Sequence, residues 1–217
     1  MGMGKSALEI YDEHFVKKGA ERIDLFRLLE KRFGIRSALY PGSFVHVAPS
    51  LAIPKVTYID IDRRCPKFFT DPTVHEWVIQ YRDYSAQPDI AFMAADYLEP
   101  LALSDETFDL LISQWAGPIS QACKRYLSVG GILLVNDSHG DASLAWFDEE
   151  LELIATISNN GDSHSIDTTN LENYFVPKAR ARTIPTTDSV LASQRGPAYQ
   201  ETADSYLFRR VEPPISR

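Results

Sequence analysis

The stretch that decides the fold is Ser37 to Asp62, SALYPGSFVHVAPSLAIPKVTYIDID. Two short apolar runs, 37–40 and 56–59, flank a turn-rich segment, and the second run ends in Asp60 and Asp62. Short runs with β-branched or aromatic residues, bounded by Pro and Gly, suit buried strands. Two more follow, DLLIS at 109–113 and GILLVN at 131–136, with helical patterns between the strand runs. That alternation predicts an α/β chain with a mostly parallel sheet covered on both faces, a three-layer sandwich. In such sheets ligands bind beyond the carboxyl ends of the strands. The polar residues that follow the strands are therefore the candidates: Pro41 to Ser43, Asp60, Asp96, Gln114 and Asp137.

Composition narrows the class. With 217 residues, of which 44% are hydrophobic, the chain can bury a large core and is not a disordered segment. Its formal charge of −8 disfavours a general phosphate-binding surface and makes nucleic acid an improbable partner. Two cysteines, Cys65 and Cys123, make neither a disulfide framework nor a thiolate metal site and read as reduced thiols. No apolar stretch approaches the roughly 20 residues that span a bilayer, and the N-terminus has no apolar signal core. The expectation is a cytoplasmic protein without membrane contact.

Working outward, residues 7–17 and 21–32 read as helices, stopped by Gly19 and Gly34. Residues 1–34 are expected to form a helical cap and 35–217 one α/β domain. The cap either packs on the sheet edge or forms a lid whose Tyr11 or Phe15 touches a ligand. Gly42 permits dihedrals that other residues avoid and lets ligand atoms approach the backbone, with Ser43 as a hydrogen-bonding partner. His46 reads as a buried, hydrogen-bonded residue, or as a base or ligand. Pro49 and Pro54 forbid a long helix before the second strand.

Asp60 stands about 20 residues past the Gly42 turn, the interval of dinucleotide sites, where an ionised acid accepts two hydrogen bonds from ribose. Its alternative is solvation, and Asp62 reads as a helix cap. Asp71-Pro72 opens a helix to about Tyr84, and 89–93 is a third strand leading to Asp96, which either accepts from an adenine amino group or solvates a loop. Gln114 and Trp115 follow the fourth strand; Trp115 is a stacking wall for a flat ring or cation, or it packs the next helix. The densest polar cluster, Asn136 to Asp141, follows the fifth strand. Residues 150–158 and 205–211 read as two last strands, 159–165 as a polar loop, and 169–174 as a helix with a Thr169/Glu172 capping box. Lys178, Arg180 and Arg182 form a small basic run that is either a solvated linker or an anion contact.

This ordering resembles the class I methyltransferases that use S-adenosylmethionine, from about Ser37 to the end. The resemblance implies a Rossmann-like, seven-stranded sheet of order 3-2-1-4-5-7-6 with strand seven antiparallel. It places the glycine-rich loop at Tyr40-Pro41-Gly42-Ser43, the ribose acid at Asp60, the adenine-side acid at Asp96, and the residues facing methyl donor and acceptor at Gln114 and Trp115. Of the family's (D/E)xGxGxG pattern the loop keeps Gly42.

The expected activity is methyl transfer from S-adenosylmethionine to a small molecule, a displacement that needs alignment and, for hydroxyl or acidic nitrogen acceptors, a base. His139 is the candidate base, with Asp137 or Asp141 to orient its ring. A magnesium site at Asp137, His139 and Asp141 lacks an acid at the Gln114 position, so no metal is expected. The GxGxxG, HExxH and GxSxG patterns are absent. Between Asp83 and Gln121 every formal charge is negative, which suits a sulfonium. The eroded glycine loop supports the alternatives, a non-catalytic interaction module of the same fold or a nucleoside-binding enzyme of another class. Neither oligomeric state nor acceptor is readable, although Tyr11, Phe15, Phe26 and Phe33 hint at a flat or apolar acceptor.

Overall fold

The computed structural model describes residues 5–161, 163–179 and 186–213. The chain divides into two compact units, Met1–Asp96 and Tyr97–Arg217.

The first unit holds three parallel strands in the order β3-β2-β1: β1 (Ser37–Pro41), β2 (Lys55–Ile59) and β3 (Asp89–Met93). Val56 to Ile59 are all buried, as are Ala38 to Pro41, which is why these runs carry no polar alternation. In register, Tyr40 faces Tyr58 and Pro41 faces Ile59, so the β1 turn begins beside the acid that ends β2. The expected first helix is shorter than its periodicity suggests. It comprises α1 (Ala7–Tyr11), capped by a Ser6/Glu9 box, and then runs as a π-helical turn over Asp12–Val16. The next helix, α2 (Ile23–Phe33), buries Leu25, Phe26 and Leu29 and ends at Gly34 in the left-handed region. The connection between β1 and β2 is a four-residue helix, α3 (Pro49–Ala52), as its two prolines require. After β2 come α4 (Cys65–Phe69) and α5 (Pro72–Tyr81), the latter capped by Asp71.

The second unit carries five strands in the order β4-β5-β8-β6-β7: β4 (Phe108–Ser113), β5 (Leu127–Val135), β6 (Leu151–Asn159), β7 (His164–Asp167) and β8 (Ser205–Arg210). β4 and β5 are parallel, whereas β5–β8, β8–β6 and β6–β7 are antiparallel. Its helices are α6 (Ile119–Cys123), α7 (Asp141–Trp146) and α8 (Thr187–Ser193).

The architecture is thus α/β and Rossmann-like with mixed strand pairing. Three expectations are corrected. Among the described residues there are eight strands rather than seven, because residues 164–167, of which 164 and 165 are expected to end a loop, extend β6 into a hairpin. The antiparallel part is larger than one strand for the same reason. The expected 169–174 helix shrinks to a 3-10 turn at Leu171–Asn173, because Thr169 turns back to Asp167 instead of capping forward. Lys178 is exposed; Arg180 and Arg182 lie outside the described residues. Among the described residues no helix is long and apolar enough to cross a membrane.

Candidate functional site

In the first unit the site is built on the turn after β1. Gly42 sits at φ 64 and its amide donates to the Ile59 carbonyl at 2.8 Å. Phe44 follows at φ 47, an uncommon conformation for a non-glycine residue, and its amide donates to Asp60 Oδ2 at 2.7 Å. The second oxygen, Oδ1, accepts from the Asp62 amide at 2.8 Å. Asp60 therefore ties the β1 and β2 turns together. Each carboxylate oxygen offers about two lone pairs, so a half-buried Asp60 retains acceptor capacity beyond these two bonds. Asp62 caps the following turn, with a bidentate grip on Arg64 that holds its carboxyl down at about 2.

Beneath the turn the polar groups are spoken for. Tyr40 and His46 are buried. The Glu21 carbonyl can only accept, so His46 Nε2 donates to it at 2.9 Å and Nδ1 accepts from the Tyr40 hydroxyl at 3.1 Å. Burial first, then the Arg22 guanidinium, hold His46 well below the ordinary imidazole range; the Glu21 bond only partly opposes them. His46 is a neutral structural histidine and no base. Ser43 is buried, its hydroxyl turned back to the Phe44 carbonyl at 3.2 Å. The N-terminal helical segment supplies aromatic cover: Phe15 stacks on His46 at 4.3 Å, and Tyr11 donates to Glu21 at 2.8 Å. The Phe44 ring is bracketed by His14, edge-on at 4.9 Å, and by the Arg64 guanidinium at 4.3 Å. Asp96, at the end of the unit, is exposed.

The second unit holds a different constellation. Asp141, at the start of α7, is buried and accepts from the Ser113 hydroxyl at 2.5 Å, from the Ser120 hydroxyl at 2.5 Å and from the Ser120 amide at 3.0 Å. Burial outweighs these bonds and raises its carboxyl to about 6. Asp137 accepts from the Ser143 amide at 2.9 Å and from the Ser143 hydroxyl at 3.1 Å; Tyr199 donates to that same hydroxyl oxygen at 2.9 Å. A Cβ on Gly196 would stand 1.9 Å from Asp137 Oδ2, so only glycine lets the backbone come this close.

The expected pairing of His139 with an acid is not what these bonds provide. His139 Nδ1 meets Ser138 Oγ at 3.1 Å, while Asp137 and Asp141 are turned to serines. Nor do the three residues converge as metal ligands; among the described residues no group of three His, Cys, Asp or Glu side chains is placed to hold a metal ion. Gln114 is buried and donates to Ser205 Oγ at 3.2 Å. Trp115 stands at φ 55 with 58% of its surface exposed, so it is not a buried packing residue of the next helix. Cys65 and Cys123 are buried free thiols, both pushed up to about 12 by burial. The Ser113–Ser120–Asp141 cluster had no sequence signal, since isolated serines are unremarkable until a fold gathers them.

No protein-family model matches the chain, and no curated protein matches it either. Solved structures do. A methyltransferase from Geobacter sulfurreducens superposes with a TM-score of 0.52 at 11% identity, over 98% of this chain and 91% of that one. The O-methyltransferase TomG from Streptomyces achromogenes, solved in complex with S-adenosylmethionine, gives 0.47 at 11% over 76% and 88%. The N-methyltransferase NodS from Bradyrhizobium japonicum gives 0.45 at 13% over 93% and 99%. At these identities the likeness is one of fold, and the full-length match to the Geobacter protein carries it. The chain has a fold like that of the class I methyltransferases.

Proposed function

We propose that the chain binds S-adenosylmethionine at the β1 and β2 turns and directs methyl transfer to a small-molecule acceptor. One observation carries this reading: Asp60, at the end of β2, is held by two backbone amides while its carboxylate stays half-buried with acceptor capacity to spare. A carboxylate fixed in that way is pre-organised for a pair of ribose hydroxyls and loses little freedom on binding. When bound, the cofactor supplies an electrophilic methyl group on a sulfonium. The turn from Tyr40 through Pro41 and Gly42 to Ser43 offers backbone at close approach, and Asp96 is assigned to the adenine side. The same reading gives Gln114 and Trp115 to the cofactor and His139 to the acceptor's proton, with Asp137 held by Ser143 and not by the imidazole. Alignment of acceptor and donor is the main contribution asked of the protein.

A second reading, a non-catalytic module of the same fold, is favoured by a specific observation. The Phe44 ring occupies the turn just after Gly42, held between His14 and Arg64, and Asp137 is bonded to Ser143 instead of to His139. Calorimetry with S-adenosylmethionine, paired with mass analysis of candidate acceptors, separates the readings. One-site binding that Asp60→Ala weakens at least tenfold, with methylated product, supports the first. Binding without product supports the second. Absence of binding at millimolar cofactor overturns the first reading and supports the second, which methylated product would overturn.

A further inference from the structure

The first unit carries a hollow that neither the fold likeness nor the cofactor reading uses. Its cavity is about 310 Å3, at the lower end of the range of small-molecule sites. Its apolar lining is Ala7 and Ile10 from α1 and Phe68 from α4. The rest of its lining is basic: Lys5, Arg63, Arg64 and Lys67. Four cations around one apolar hollow stand out on a chain of formal charge −8.

The charges are not equally committed. Lys5 is paired with Glu13 at 2.5 Å and Arg64 with Asp62 at 2.8 Å. Among the described residues the side chains of Arg63 and Lys67 make no hydrogen bond or ion pair, and both are exposed. The acids that feel them are engaged elsewhere, Asp62 on Arg64 and Asp71 on Thr73. Two uncommitted cations in a hollow that is otherwise lined by apolar side chains and paired cations match a ligand with one anionic end and one hydrocarbon end. Arg favours a planar carboxylate, which it can grip with two parallel bonds.

We propose that this hollow binds an amphiphilic carboxylate, its tail on Ala7, Ile10 and Phe68 and its head between Arg63 and Lys67. The inference stands on this hollow alone and survives if the cofactor reading fails. The test uses the full chain, isotope-labelled, with decanoate below its micelle concentration; decanol, decyltrimethylammonium and acetate serve as controls. Decanoate is expected to shift the amides of Ala7, Ile10 and Phe68 and to bind at least tenfold more tightly than any control. The Arg63→Ala/Lys67→Ala double variant touches only exposed side chains; it should lose at least tenfold for decanoate and leave decanol unchanged. Ile10→Ser should weaken decanoate and decanol alike. Added salt should weaken decanoate only. Equal binding of the decyl cation, shifts confined to other residues, an unaffected double variant or no binding at all each overturns the proposal.

Discussion

The β1 turn of the first unit and the serine-ringed acids of the second use the same residue type in opposite ways. Asp60 takes two backbone amides at 2.7 and 2.8 Å and remains half-buried, with acceptor capacity beyond those two bonds. Asp141 is 1% exposed and its oxygens are consumed by Ser113 and Ser120. Both stand just past a strand or at the helix after one, where the topology favours ligands. Position at a strand end is therefore insufficient to mark a site. What separates the two is whether the carboxylate has acceptor capacity left once its own chain has been served.

The largest way to test that contrast is at Asp141. Asp141→Ala strands two serine hydroxyls and one amide in the interior and should cost about 2–4 kcal/mol in urea unfolding. Its folded carboxyl lies at about 6, against about 3.9 in the unfolded chain. The folded state thus holds the proton more tightly. The associated stability is fully present below about pH 4 and falls as pH rises through about 6, by on the order of 3 kcal/mol. Asp141→Asn should keep much of the stability, because the serine hydroxyls can rotate to accept, and should flatten that slope. An unchanged slope would mean that another group carries it.

At Asp60 the effect on stability is smaller and the effect on binding larger. Asp60→Ala frees the amides of Phe44 and Asp62 at a half-buried turn, for a cost of about 1–2 kcal/mol by denaturation. The contrast fails if Asp60→Ala is as damaging as Asp141→Ala, since Asp60 would then also be spent on structure. The smallest effect is expected at the exposed Arg27–Asp83 pair, 2.6 Å apart on the surface of the first unit. Arg27→Ala should change stability by no more than about 1 kcal/mol, and by less as salt is added. A larger loss would show surface charge doing what is attributed here to buried bonds.

Much of the frame is legible in the sequence because burial writes it plainly. Runs such as VTYI and LLIS carry no polar alternation, as strands covered on both faces require. Asp71-Pro72 and Gly34 mark helix ends by their own stereochemistry. The hairpin strand β7 escaped notice because HSID has one apolar residue and alternates between exposed and half-buried positions, a pattern shared with polar loops. The π-helical turn at Asp12–Val16 keeps the apolar spacing of an α-helix, so periodicity cannot reveal it.

The site divides in the same way. That an acid closes β2 beside a glycine turn is written in Ser37 to Asp62. That its oxygens accept from Phe44 and Asp62 depends on a left-handed Phe44, which no local rule would place there. The burial of Asp141 by serines 21 and 28 residues earlier in the chain is a tertiary fact. So is the glycine at 196 that makes room for Asp137.

The proposed room for a sugar at Asp60 can be read at the carboxylate's own donors. The amides of Phe44 and Asp62 report on that carboxylate directly, since both donate to it. Titration of isotope-labelled protein with S-adenosylmethionine should move these two resonances saturably, and Asp60→Asn should blunt the response. If both stay fixed at millimolar cofactor while the protein remains folded, the carboxylate serves its own turns alone and the proposal is wrong.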